Sequence, residues 1–205
     1  MLKKIEGKIR FAKKHKKYLR KLRPWNGKWG IVNKEINMLK KHIRTQLANF
    51  QDNKCAYCGL TLNETSGSEI EHIVPKGGDK QPIHPQFTFT PYNLSLSCHL
   101  CNGPVKKGKK DTIITLDINY RLCEFSIVHP YFDDPKDHFD WIPKGKKILI
   151  SDRTPKGKKS IEIFKLDDTA HNEARAKLAN YEDPETTDEE MELKLKRILD
   201  AKRML

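Results

Sequence analysis

The chain has 205 residues, 37% of them apolar and 33% charged, with a formal net charge of +13. That is room for one compact domain, or a small domain with extensions, and for a core that does not depend on disulfides. No apolar run approaches the roughly 18 residues of a membrane span, and the N-terminal stretch MLKKIEGKIRFAKKHKKYLRKLR lacks the apolar core of a secretory signal.

The positive charge is unevenly placed. Residues 1–54 carry 17 Lys/Arg against 3 Asp/Glu, whereas the rest of the chain carries 23 against 24. Such an asymmetry points to an anionic partner, nucleic acid foremost, with a merely solvated basic helix as the alternative. Residues 1–23 hold only Leu2, Ile5, Ile9 and Tyr18 or Leu19 as apolar anchors. A helix so poor in apolar face does not fold unaided, and the segment is expected to order on binding. Pro24-Trp25-Asn26-Gly27 is a breaker. Asn33 then has the character of an N-cap. Ile36, Leu39, Ile43, Leu47 and Phe50 follow at spacings of three and four, predicting an amphipathic helix that ends near Phe50.

The five cysteines include two C-x-x-C pairs, Cys55/Cys58 and Cys98/Cys101. An odd count in this arrangement favours a metal in a reducing compartment over disulfides, so a cytoplasmic protein is expected. Two such knuckles complete a tetrahedral four-thiolate shell suited to Zn2+. With all four positions filled by protein, the zinc is expected to be structural. His99 lies inside the second knuckle and is the competing ligand. Cys123 stands apart and reads as a small buried apolar residue. The knuckles are 39 residues apart, well beyond the roughly 15–20 of a simple zinc ribbon. The insert contains Glu69-Ile70-Glu71-His72-Ile73-Val74-Pro75-Lys76-Gly77-Gly78, which reads as a short strand ending at Pro75. His84 lies in the loop after it, among prolines. Residues 91–97 read as a loop or short helix entering the second knuckle, and Asn102 to Lys110 is polar and basic.

Beyond residue 110 the pattern predicts strands at Thr112–Ile118, Ile148–Ser151 and, after the turn Thr154-Pro155-Lys156-Gly157, Ser160–Leu166. A helix is predicted over 168–180, capped by Asp168 or Thr169. The capping box Thr187-Asp188-Glu189-Glu190 opens a last helix carrying Met191, Leu195, Ile198 and Leu199. The chain therefore divides into a basic N-terminal arm (1–32), a helix plus zinc-stapled core (33–110) and a C-terminal α+β extension (111–205).

The order C-x-x-C, acid-His, Pro-x-x-Gly, Asn-Leu, C-x-x-C-Asn and Lys-Gly over residues 55–110 resembles the HNH endonucleases that carry a four-cysteine zinc site. The resemblance implies an α+β protein with a ββα-metal core. It makes His72 the general base, and Glu71 and Asn102 the ligands of a catalytic Mg2+ or Mn2+. Asn93 pins the loop between the two strands. Asn102 stands where many members have His, and Glu69 replaces Glu71 as ligand if the strand register slips by two. Lys76, Lys106, Lys107, Lys109 and Lys110 suit phosphate contacts, or form a solvated charge run. Duller roles remain for the others: a surface His72, a solvated Glu71, an Asx-turn Asn93, a helix-capping Asn102.

Downstream, Val128-His129-Pro130-Tyr131-Phe132-Asp133-Asp134-Pro135, His138-Phe139, Gly157 to Leu166 and His171 to Arg175 resemble the HNH nuclease subunit of Septu-type anti-phage systems. That implies an ABC/SMC-type ATPase as partner, with degradation or nicking of phage DNA as the outcome; no membrane partner is expected, since no apolar run is long enough to span one. The basic arm then either grips DNA or docks on the ATPase. A non-catalytic zinc nucleic-acid-binding module and a ribonuclease-like toxin are the alternatives.

Overall fold

Leu2, Ile5, Ile9 and Leu19, the sparse apolar residues of the basic arm, are all buried in the main core. The computed structural model describes residues 2–63, 67–77, 80–104, 106–142 and 146–181, with Leu193 and Lys196. Residues 2–12 form neither helix nor strand, and the Ile5 N–H donates to the Pro130 carbonyl (2.8 Å). Helix α1 (Lys13–Lys21) turns His15 and Leu19 inward and leaves Lys13, Lys14, Lys16 and Lys17 exposed. The arm is thus laid against the fold without a partner. A nine-residue helix of this composition is held by packing, not by its own propensity.

Helix α2 (Lys34–Phe50) begins where Asn33 Oδ1 accepts the Ile36 N–H (2.8 Å) and buries Ile36, Leu39, Ile43 and Leu47. It packs on an antiparallel hairpin, β1 (Ser68–His72) with β2 (Leu94–Cys98), in which Ser68 faces Cys98 and His72 faces Leu94. Residues 94–97, expected as loop or helix, are strand because every residue of β2 is buried and its apolar members alternate with Ser95 and Ser97. The Gln51 amide extends this sheet. Its Nε2 donates to Leu96 O (2.9 Å) and its Oε1 accepts from Leu96 N (2.8 Å), as a neighbouring strand would. Helix α3 (His99–Asn102) follows β2 directly.

The C-terminal part adds β3 (Ile113–Thr115) with β4 (Glu124–Phe125), α4 (Pro135–His138), β5 (Phe139–Ile142) with β6 (Leu149–Asp152), α5 (Pro155–Phe164) and α6 (Thr169–Tyr181). The segment Ser160–Leu166, predicted as a strand, lies mostly in helix α5. Thr154 Oγ1 caps it by accepting the Gly157 N–H (3.2 Å), and Pro155 takes the first helical position, where its missing N–H costs nothing. Asp168 Oδ1 caps α6 by accepting the His171 N–H (2.9 Å). Of the last predicted helix, the capping box at 187–190 and the apolar residues Met191, Leu195, Ile198 and Leu199 lie outside the described residues, while Leu193 and Lys196 are helical. Among the described residues no helix is long and apolar enough to cross a membrane. The fold is therefore mixed α and β with small two-stranded sheets, and its largest apolar cluster draws on the arm, α2, the hairpin and the C-terminal part together.

A buried polar relay ties the C-terminal part to the hairpin. The Tyr131 N–H donates to His129 Nδ1 (3.2 Å), so His129 Nε2 carries the hydrogen and meets the Tyr120 hydroxyl (3.0 Å). That hydroxyl donates to Asn93 Oδ1 (3.0 Å). Burial, with Lys156 adding to it, holds the His129 imidazole well below its ordinary value of 6.5. The unfolded chain therefore takes up a proton near pH 6.5 that the folded chain refuses. His129 contributes stability above that pH and loses it on acidification, by up to about 1.4 kcal/mol per pH unit. The urea midpoint of the wild type should fall between pH 7.5 and 5.5, and His129→Gln should lessen that dependence, with His72 supplying part of what remains. A wild-type midpoint that does not move would contradict the neutral assignment.

Candidate metal centre and adjoining pocket

Cys55 and Cys58 lie on the turn before β1, where the Gly59 N–H returns to the Cys55 carbonyl (3.0 Å) with Gly59 left-handed (φ 73°). Cys98 ends β2 and Cys101 lies in α3. The hairpin and α3 so bring both knuckles to one point: all four residues are buried and their sulfurs lie within 4.8 Å of one another. Cys58 Sγ and Cys98 Sγ are 3.8 Å apart. A tetrahedral ion with sulfur ligands at about 2.3 Å has edges of about 3.8 Å, so the cluster fits Zn2+. The Cys98 N–H also points at Cys55 Sγ (3.4 Å), the kind of donor a thiolate accepts. These four residues can hold a metal ion and leave it no open position. His99 turns away, with its side chain exposed and Nδ1 3.3 Å from Glu69 Oε1.

Beside β1 and α3 is a pocket of about 550 Å³ lined by residues that include Glu71, His72, Asn102, Lys76 and Lys107. His72 is buried, and its Nε2 meets the Thr88 carbonyl (3.0 Å). A carbonyl only accepts, so Nε2 carries the hydrogen and Nδ1 keeps the lone pair. Burial, then the charge of Lys76, pushes its pKa down to about 3 against the Thr88 bond, with Lys107 and Lys40 adding to the fall. The ring is therefore neutral at pH 7. Trp29, from the basic arm, sets its ring edge-on to His72 (4.6 Å between centroids), and Lys40 of α2 lies over Trp29 (4.9 Å). Asn93 is fully buried. Its Nδ2 donates to Val74 O (3.1 Å) and Phe87 O (3.0 Å), and its Oδ1 accepts from Val74 N (2.7 Å). Those bonds fix the backbone that leaves β1 just after His72.

Glu71 is ion-paired with Lys107, whose Nζ also donates to the His72 carbonyl (2.8 Å). Burial pushes the Glu71 carboxyl up while Lys107 opposes it. Asn102 Nδ2 donates to Glu69 Oε2 rather than facing Glu71. Glu71, His72 and Asn102 thus share one pocket, but Asn102 and Glu71 each have a separate partner. The grouped lysines divide. Lys107 is 1% exposed and Lys106 pairs with Asp168 (2.6 Å), so neither offers the outward ammonium expected of a phosphate contact. Lys109 and Lys110 are exposed. Lys76 is half-buried at the pocket rim, on a turn where Gly77 is left-handed (φ 75°) and any Cβ would run into the Gln81 carbonyl oxygen.

Two features of the site are not readable in the sequence. His171 Nε2 lies 3.5 Å from Cys101 Sγ across 70 positions, and only the Asp168 cap hints that its helix starts beside the metal centre. Tyr57, between the first two cysteines, stacks on Phe164 of α5 (3.9 Å), a contact no local pattern announces.

The fold and site define an α+β protein in which a buried four-cysteine cluster, able to hold a metal ion, fastens a β-hairpin beside a His-lined pocket. The chain is similar to two curated relatives. It is 31% identical over 131 residues to Septu protein PtuB of Bacillus thuringiensis, covering 62% of this chain and 42% of that protein. It is 30% identical over 174 residues to Septu protein PtuB of Bacillus mycoides, covering 78% of this chain and 55% of that protein. The chain thus spans about half the length of the relatives it matches. No family model matches it.

Proposed function

We propose that this chain is a metal-dependent HNH endonuclease that hydrolyses DNA phosphodiesters, as the nuclease part of an anti-phage defence complex with an ABC/SMC-type ATPase. The observation that carries the reading is the β1–β2–α3 unit, which gathers Glu71, His72 and Asn102 around one pocket. In this reading the order strand, strand, helix is the ββα-metal core. Neutral His72 takes a proton from the attacking water through Nδ1, the nitrogen left with a lone pair. Glu71 and Asn102 offer hard oxygens to Mg2+ or Mn2+, which neutralises charge on the phosphoryl group when bound. The defence role rests on the similarity to Septu protein PtuB. Supercoiled plasmid should be cut on addition of Mg2+ or Mn2+ and left intact without them, and an ATPase should co-purify from the native host. A chain that cuts nothing with partner and metal present would overturn the reading.

The Glu71–Lys107 ion pair favours a second reading, a non-catalytic nucleic-acid module, since the ammonium holds the carboxylate a cation needs. Binding of DNA without cleavage, in the complete complex with Mn2+, is its expected result.

The basic arm fits the substrate side of the proposal. Trp29 of the arm lies against His72 and lines the pocket, and Lys40 lies over Trp29. Deleting residues 1–23 would strip Leu2, Ile5, Ile9 and Leu19 from the core and would not test this. Replacing exposed Lys13, Lys14, Lys16 and Lys17 with Gln does. If they contact DNA, the slope of log affinity against log salt should flatten by about 0.9 for each phosphate the arm no longer neutralises. An unchanged slope with loss of the ATPase complex would make the arm a docking element instead.

A further inference from the structure

Arg175 of α6 is 5% exposed, and two of its nitrogens, Nε and Nη2, are buried without a hydrogen bond. Its Nη1 donates to Leu166 O (2.7 Å) and Ile148 O (3.3 Å), and its guanidinium lies over the Trp141 ring (5.2 Å). A guanidinium stays charged in a protein, and a buried charge needs a counter-charge to be tolerated. Burial disfavours its charge, whereas the Cys58 and Cys101 sulfurs, ahead of Asp168 and Asp167, favour it. Asp168 is already engaged by Lys106 (2.6 Å) and His171 (2.9 Å). One helical turn before Arg175, on the same face of α6, His171 sets its Nε2 3.5 Å from Cys101 Sγ. Its ring is held there by Nδ1 against Lys165 O and Asp168 Oδ1 (2.9 Å each). The cluster has the opposite need. Four thiolates around Zn2+ leave two surplus negative charges, in a place where all four cysteines are buried.

We propose that α6 is the outer wall of the metal centre, with the Arg175 guanidinium offsetting the surplus charge of a four-thiolate zinc. The C-terminal part is then a component of the metal site, and zinc in turn fastens α6. The inference concerns the cluster alone and stands or falls apart from the nuclease reading.

The test uses the full zinc-loaded chain with Arg175→Gln, which keeps donors but loses the charge, and Arg175→Lys, which keeps the charge but loses the fork. Zinc transfer to a chromophoric chelator is measured, together with the thiolate-to-cobalt charge-transfer band after Co2+ substitution. Arg175→Gln should give up zinc about 10–100-fold more readily and shift the cobalt band, while Arg175→Lys stays close to wild type in both. A merely structural arginine would lower the melting temperature of Arg175→Gln and leave zinc affinity and the cobalt band where they were. That outcome overturns the proposal. So does an Arg175→Lys chain that loses zinc as Arg175→Gln does. If Arg175→Gln fails to fold, Arg175→Lys decides by pH: its zinc release should rise with pH as the substituted ammonium loses its proton, while the wild type, whose guanidinium stays charged, does not follow; the same pH dependence in both overturns the proposal.

Discussion

Cys98→Ser is expected to unfold the chain. Cys98 ends β2, its sulfur is 3.8 Å from Cys58 Sγ, and its N–H points at Cys55 Sγ. Serine removes one thiolate of four and leaves the other three buried with their charge or their protons uncompensated. Apparent binding energies of structural zinc run to about 10–16 kcal/mol, against a total stability of about 5–15 kcal/mol for a typical domain. Losing most of the first is comparable to the whole of the second. The wild type should carry about one zinc per chain by elemental analysis, and Cys98→Ser almost none. The variant should also lose its near-ultraviolet dichroism and its cooperative melt. A wild-type chain that is folded and metal-free, or a Cys98→Ser chain that melts as the wild type does, would refute the assignment of this cluster.

On the proposed nuclease reading, His72→Ala should slow plasmid cleavage by about 10²–10⁴-fold, the usual worth of a general base, with DNA affinity unchanged. The variant also opens a cavity beside Trp29 and frees the Thr88 carbonyl. His72→Asn is therefore its companion, because it retains a polar side chain in place of the ring. Both should lose cleavage, and His72→Asn should melt closer to the wild type. Cleavage by either variant at the wild-type rate would remove His72 from the chemistry, whatever the fate of the rest of the reading.

The cysteine cluster is legible in the sequence because two short spacings determine it, and α2 because one cap and a single periodic face do. What escapes the sequence depends on distance or on burial. Ser160–Leu166 carries apolar residues at alternate positions, Ile161 and Ile163, which imitates a strand. The decisive signal, Thr154 followed by Pro155, lies upstream and is the mark of a helix start. Lys107 looks like any other lysine of its basic run, and only the fold shows that it is buried against Glu71. His171 meets Cys101 across 70 positions, beyond the reach of any local pattern. The anchors of the basic arm stand out in the sequence, but their sufficiency does not. Leu2, Ile5 and Ile9 need no helix to be buried once Ile5 is tied to Pro130.

The edge-on contact of Trp29 with His72 has an optical consequence. The other tryptophans, Trp25 and Trp141, pack against Phe89 and Arg175. Trp29 is the indole at the pocket, so its emission carries a built-in signal of what enters there. A Trp25→Phe, Trp141→Phe chain would isolate that signal, allowing occupancy of the pocket to be followed in real time without a label.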